Sequence, residues 1–91
     1  MAWQVEFTPK AKRALDRLDQ QVIRRILRFL SERLATAKDP RALGEALRGD
    51  DLGDFWKYRV GDYRIIADIA DRTVTIYVVN IGHRSQIYRP R

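Results

Sequence analysis

Cysteine is absent from this chain, which excludes disulfides and thiolate metal sites. There is one histidine, so chemistry that needs two histidines as acid and base is excluded too. No apolar run approaches the roughly 20 residues that span a bilayer. The opening Met1-Ala2-Trp3-Gln4-Val5-Glu6 lacks a basic stretch followed by an apolar one, so no secretory leader is expected. Repeats, linkers and low-complexity segments are missing as well. The 91 residues are expected to form one domain over positions 1–91, in the cytoplasm and away from membranes.

Acidic residues are the scarcer charge. Lys plus Arg is 18 against 12 for Asp plus Glu, a net of +6, and the pI is near 10.2. Arginine greatly outnumbers lysine, and its planar fork suits bidentate phosphate contacts and stacking on bases. A domain this basic is a nucleic-acid candidate; the alternatives are a plain basic surface or pairing with an acidic protein. A hydrophobic fraction of 45% beside 33% charged residues describes a globular chain, not a disordered one.

Trp3 to Phe7 alternates apolar and polar residues, as a half-buried strand does. Thr8-Pro9 then supplies a helix N-cap and a proline suited to the first helical position. Ala11, Ala14, Leu15 and Leu18 follow at helical spacing, with a break near Asp19-Gln20. A second helix runs to about Leu34 or Ala37, with Val22, Ile23, Ile26, Phe29, Leu30 and Leu34 on one face. Arg17, Arg24, Arg25 and Arg28 fall on its outer side. Residues 41–54 are mixed and end in a loop. Three strands follow: Phe55 to Val60, Tyr63 to Ala70, and Thr73 to Ile81, joined by turns at Gly61-Asp62 and Asp71-Arg72. The order β-α-α-β-β-β predicts an α+β domain with two N-terminal helices packed on one face of a small antiparallel sheet.

The tight turns fix cross-strand pairs. The first places Arg59 opposite Arg64, Tyr58 opposite Ile65 and Lys57 opposite Ile66. The second places Ile69 opposite Val74, Ala67 opposite Ile76 and Ile66 opposite Tyr77. Alternation then gives a core face with Trp56, Tyr58, Ile65, Ala67, Ile76 and Val78. The other face carries Lys57, Arg59, Arg64, Asp68 and Tyr77. Opposed arginines destabilise a sheet. They are either a site for a polyanion or a basic face whose side chains splay into water, and removing one should leave the fold as stable or slightly more so. Residues 72–91 add four arginines and no acid. Basic side chains interleaved with Tyr77 and Tyr88 would suit stacking on an unpaired base.

These features together resemble the RelE family of the RelE/ParE toxin–antitoxin superfamily. The carriers are Val5-Glu6-Phe7-Thr8-Pro9-Lys10-Ala11, the segment Trp56-Lys57-Tyr58-Arg59-Val60-Gly61-Asp62-Tyr63-Arg64-Ile65, and Ile81-Gly82-His83-Arg84 with Tyr88 close behind. The resemblance implies the toxin of a type II system: a ribosome-dependent endoribonuclease (an mRNA interferase) that cuts mRNA in the A site and blocks translation. The ribose 2′-hydroxyl attacks its own 3′-phosphate, with no metal and no cofactor. It implies catalytic roles for Lys57, Arg64, Arg84 and Tyr88. Arg59, Tyr77, His83 and Arg89 are the expected RNA-binding residues. Where some members carry a second lysine, two residues before Lys57, this chain has Phe55. The partners implied are the ribosome, mRNA and a cognate RelB-like antitoxin, with a toxin–antitoxin heterotetramer on operator DNA as one form of the complex.

The residue inventory is compatible with that chemistry. Arginines would hold the scissile phosphate and stabilise the charge that develops on it. His83 suits either acid–base work or the capping of a strand end. The one tight carboxylate cluster, Asp50, Asp51 and Asp54, reads as a solvated loop, so no metal site is expected. Two further readings stay open: a ParE-like inhibitor of DNA gyrase that is no enzyme, and a non-toxic relative that binds only nucleic acid or antitoxin.

Overall fold

The computed structural model describes residues 2–47 and 55–87. The first strand, β1, is Gln4–Phe7 and helix α1 is Pro9–Asp16. Thr8 caps α1 by accepting from Ala11 N at 3.2 Å, with Pro9 at its first position. Asp19 caps α2, Gln20–Arg28, in the same way through Gln21 N. The chain then continues as a π-helical turn over Phe29–Leu34, closed by Ala35 N donating to Leu30 O. A short 3₁₀ turn, Pro40–Leu43, leads into a two-residue strand β2, Glu45–Ala46. Strands β3 (Trp56–Val60), β4 (Tyr63–Ala70) and β5 (Thr75–His83) follow, and a short helix α3, Arg84–Ile87, comes last.

The five strands lie in the order β1-β5-β4-β3-β2. All neighbours are antiparallel except β1 and β5, which run parallel. The predicted α+β architecture is the observed one. The parallel pair comes from the helices: α1 and α2 carry the chain away from β1, so β5 can return alongside it in the same direction. The helices cover one face of the sheet. Ala11, Leu15, Ile26, Leu30 and Leu34 pack on Tyr58, Ile65, Ala67, Ile69, Ile76, Val78 and Ile81. Each fully buried Leu or Ile contributes about 1.5–3 kcal/mol relative to exposure.

The first hairpin has the register expected from its turn, with Arg59 opposite Arg64 and Lys57 opposite Ile66. Gly61 stands at φ +60, which a side chain disfavours. The second hairpin differs. Asp71–Thr73 form a 3₁₀ turn and Val74 adopts a left-handed conformation, so the connection takes four residues instead of two. From the turn as far as Ala67 the pairs move by two positions: Ile76 faces Ile69, and Tyr77 faces Asp68, not Ile66. A shift of two keeps each side chain on its own face, which is why the core was legible although the register was not.

A β-bulge then adds one residue to β5. Val78 faces Ala67 but Asn80 faces Ile66, leaving Val79 as the extra residue. Its carbonyl accepts from Thr8 Oγ1 at 3.4 Å. The bulge turns Ile81 into the core and sets Gly82 opposite Arg64.

Candidate nucleic-acid interface

The sheet face away from α1 and α2 is arranged in rows. One row holds Arg59 and Arg64, with Gly82 beside Arg64; the next holds Glu45, Lys57, Ile66 and Asn80. A third holds Asp68, Tyr77 and Glu6. The face is therefore basic in the row next to the Gly61-Asp62 turn and acidic in the row farthest from it, with Glu45 at the β2 edge between them.

Arg64 is not splayed into water. It is 8% exposed. Its Nη1 donates to the carbonyls of Gly61 at 3.0 Å and Tyr63 at 2.9 Å. Arg59, opposite it, is exposed. One of the two like charges is thus drawn into the carbonyls of the turn. Opposite Arg64 stands Gly82, where a Cβ would come within 3.2 Å of the Ile87 side chain.

Lys57 pairs with Glu45 Oε1 at 3.0 Å. The hydrogen bond to Lys57 holds the Glu45 carboxyl below the usual carboxylate range. Arg84 opens α3 at the same end of the sheet as Gly61. Its backbone N donates to Asp62 O at 2.8 Å, and its Nε lies 3.5 Å from Asp62 Oδ1. That ion pair is long, and Arg84 is exposed, so little binds it tightly. Lys57, Arg59 and Arg64 share the open face, then, and both Arg64 and Arg84 reach the Gly61-Asp62 turn.

Two expected members stand apart. Tyr77 lies on the open face, but the shifted register puts it in the row beyond Lys57, roughly 7 Å further along the strand. His83 follows the bulge onto the helix side. Its ring meets Tyr63 edge-on at 5.4 Å, and Nδ1 is 2.8 Å from Ser85 Oγ. Tyr88 and Arg89 lie outside the described residues, as do Asp50, Asp51 and Asp54. Among the described residues no group of three metal-ligating side chains gathers, and no helix is long and apolar enough to cross a membrane.

Sequence reasoning missed one arginine. Arg25 of α2 was placed on the outer helix surface, yet its guanidinium lies against Gly61. The signal was a glycine at a turn that a helix can approach closely. Sequence reasoning also missed a clasp at the far end of the sheet. Arg41 donates from Nη1 and Nη2 to the two carboxylate oxygens of Asp71, at 3.1 and 2.7 Å, and its guanidinium lies 6.0 Å from the centre of the Trp56 ring. The contact lowers the Asp71 carboxyl and raises the Arg41 guanidinium, in both cases mainly through the hydrogen bonding between them.

Known proteins resemble this chain in sequence and fold. Residues 5–88 match the model of the ParE toxin of type II toxin–antitoxin systems, parDE. Toxin RelG of Mycobacterium tuberculosis is 32% identical over 98% of this chain and 99% of its own length. Toxin RelE of the same organism is 32% identical over 96% of this chain and 87% of its own. Among solved structures, the M. tuberculosis toxin–antitoxin complex RelBE2 contains a chain that superposes with a TM-score of 0.82. It is 27% identical, with 94% of this chain and 95% of that one covered. With its family model, its relatives and its fold in agreement, this chain belongs to the ParE toxin family of type II toxin–antitoxin systems and is a toxin of the RelE type.

Proposed function

We propose that this toxin is a ribosome-dependent endoribonuclease that cuts mRNA in the A site. The observation that carries this reading is the gathering of Lys57, Arg59 and Arg64 on one open sheet face, with Arg84 at the adjoining turn. Such a set suits a phosphate whose charge grows during reaction. The ribose 2′-oxygen attacks its own 3′-phosphorus and loses its proton. The bond from phosphorus to the 5′-oxygen breaks, and that oxygen takes up a proton. The products are a 2′,3′-cyclic phosphate and a 5′-hydroxyl.

Arg64, fixed by two carbonyls, is the preorganised donor of the set. Arg84 is the exposed one, and Lys57 serves the 2′-hydroxyl or the leaving oxygen. Arg59 and Tyr77 would contact the flanking RNA. Tyr88 stacks on a base or transfers a proton, and Arg89 adds charge to the same strand of RNA. His83, facing Tyr63 on the helix side, is at most a contact at the rim. No step uses a metal or a cofactor.

The partner in this reading is a RelB-like antitoxin. The similar M. tuberculosis toxin was solved in a toxin–antitoxin complex. Between β1 and α2 this chain has an open apolar hollow of about 350 Å³, lined by Trp3, Val5, Phe7 and Leu27 among others. Leu27 is 42% exposed there. An amphipathic acidic segment would fit it and be attracted by the net charge of +6. The toxin–antitoxin heterotetramer on operator DNA belongs to the same reading.

The family model's description names ParE, which keeps a gyrase-inhibitor reading in view. There the basic face would bind protein and do no chemistry. The relatives named RelG and RelE favour cleavage. A single experiment separates the two. A defined mRNA is translated by purified ribosomes with the toxin present, and cut positions are mapped. Cuts inside the A-site codon are expected, and they should persist with a chelator at levels that leave ribosomes intact. Intact mRNA together with loss of gyrase supercoiling would establish the inhibitor reading instead. Rescue of chelated samples by one added divalent ion would return the Asp50–Asp54 region to consideration.

A further inference from the structure

The Gly61-Asp62 turn is approached by arginines from three separate elements. Arg64 comes from β4 and donates to the Gly61 carbonyl. Arg84 comes from α3 and sits beside Asp62. Arg25 comes from α2 on the helix side. A Cβ built on Gly61 would lie 3.1 Å from Arg25 Nη2, 3.2 Å from Nη1 and 3.4 Å from Cζ. Nη2 and Nη1 are the nearest atoms and Cζ is farther, so the terminal end of the guanidinium borders the glycine. A side chain at position 61 would crowd the Arg25 guanidinium by a few tenths of an ångström, in addition to the cost of the positive φ.

A guanidinium's N–H bonds lie in its plane. Among the described residues none of those of Arg25 is spent on a hydrogen bond or ion pair. Among the described residues Arg25 has no carboxylate partner. Arg33, at the end of the π-helical turn, is exposed and is not among the atoms that border a glycine. Three arginines around a single Asp62 leave a local excess of positive charge. That charge straddles the end of the hairpin, with Arg64 on the open face and Arg25 on the other side.

We propose that Arg25 binds a second backbone phosphate of the RNA, one next to the phosphate held by Arg64 and Arg84, so that the Gly61-Asp62 turn sits between two consecutive phosphates. The proposal rests on the reading of this toxin as an RNA-binding enzyme and adds a residue to its binding surface. Arg25 touches the bound strand and takes no part in the chemistry. Gly61 is a positioning residue, since its lack of a side chain leaves room for the Arg25 guanidinium.

The test uses the full chain and a short single-stranded RNA methylated at every 2′-oxygen, which cannot be cut. Affinity is measured as salt is raised. Each phosphate contact on a single strand contributes about 0.7 to the slope of log K against log salt. Arg25→Gln keeps a planar group beside Gly61 and removes the charge. It should lower the slope by about 0.7 and weaken binding about tenfold at low salt, the order of one charge-assisted contact. Its melting temperature should be that of the wild type. Arg33→Ala, an equal loss of charge, should leave the slope unchanged.

Equal slopes for wild type and Arg25→Gln would overturn the proposal, and so would equal drops for Arg25→Gln and Arg33→Ala. A drop in melting temperature with no change of slope would make Arg25 a structural clamp and overturn it too. The enzymatic reading fails separately, if the wild type binds this RNA with an Arg25-dependent slope yet leaves mRNA uncut on programmed ribosomes.

Discussion

Arg59 and Arg64 stand directly opposite each other across the β3–β4 hairpin, yet only one of them faces water. The opposed charges cost roughly 0.2–1 kcal/mol. Arg59→Ala should therefore leave stability unchanged or raise it by up to about 1 kcal/mol. Arg64→Ala behaves differently. It strands the Gly61 and Tyr63 carbonyls and opens a buried site, so it should cost about 1–3 kcal/mol. Pairing alone suggested that either loss would be neutral, and burial of Arg64 corrects that. In the cleavage reading Arg64→Ala also slows the reaction roughly 100- to 1,000-fold. Denaturant unfolding of both variants, with cleavage assayed where both remain folded, checks the two effects apart.

Glu45 faces Lys57 across β2 and β3, with Nζ and Oε1 3.0 Å apart. In the cleavage reading, where Lys57 faces a phosphate, the neighbouring carboxylate opposes an incoming anion. Glu45→Gln should strengthen binding of a non-cleavable RNA, roughly two- to fivefold at low salt and less at high salt. Lys57→Ala should weaken it and slow cleavage. Weaker binding by Glu45→Gln would mean that the carboxylate is needed to orient the lysine.

Tyr58 is fully buried, and its hydroxyl donates to the Pro40 carbonyl at 2.8 Å. Burial pushes its phenol up to about 12 from an ordinary 10.0. The folded state keeps its proton above pH 10 while the unfolded chain gives it up. The stability that this group contributes is thus complete below pH 10 and is lost as pH rises from 10 towards 12, by about 2–3 kcal/mol in all. Tyr58→Phe should be about 1 kcal/mol less stable at neutral pH and should lack that part of the alkaline loss. Parallel alkaline melts of the two proteins would show a converging difference; a constant difference would show that Tyr58 does not titrate in this way.

The acid limb has the opposite sign. Glu45 and Asp71 have carboxyls lowered by Lys57 and Arg41. Their contributions are present above the ordinary values of 4.5 and 3.8 and disappear as pH falls below them. Both carboxylates are exposed, so the effect should shrink in high salt. Melting curves at falling pH in low and high salt check this.

Val74 holds φ 49 and ψ 48 directly before β5. A β-branched residue pays roughly 1–2 kcal/mol for that conformation. Val74→Gly or Val74→Asn should raise stability by about 1 kcal/mol, or about 5 °C in Tm for a domain of this size. Thermal melts would read the gain directly. A lower Tm would show that packing by the half-buried valine outweighs its backbone strain.

Much of this protein was written in local chemistry. Thr8-Pro9 and Asp19 set both helix starts because a cap and a proline act within one turn. Gly61-Asp62 set the first hairpin, and with it the Arg59–Arg64 and Lys57–Ile66 pairs, because a two-residue turn leaves no freedom in register. Alternation sorted Tyr58, Ile65, Ala67, Ile76 and Val78 into the core because side chains in a strand repeat every two residues.

Only the tertiary structure decided the rest. Nothing local marks Val79 as a bulged residue; its carbonyl meets Thr8, 71 positions earlier in the chain, and that extra residue carries Gly82 to Arg64 and His83 to Tyr63. The 3₁₀ turn at Asp71–Thr73 is clasped by Arg41, 30 positions away, so Tyr77 pairs with Asp68. Arg25 reaches Gly61 only because α2 packs across the end of the hairpin. Each of these contacts joins residues far apart in sequence. Their geometry follows from which surfaces bury together, and no window of neighbouring residues contains it.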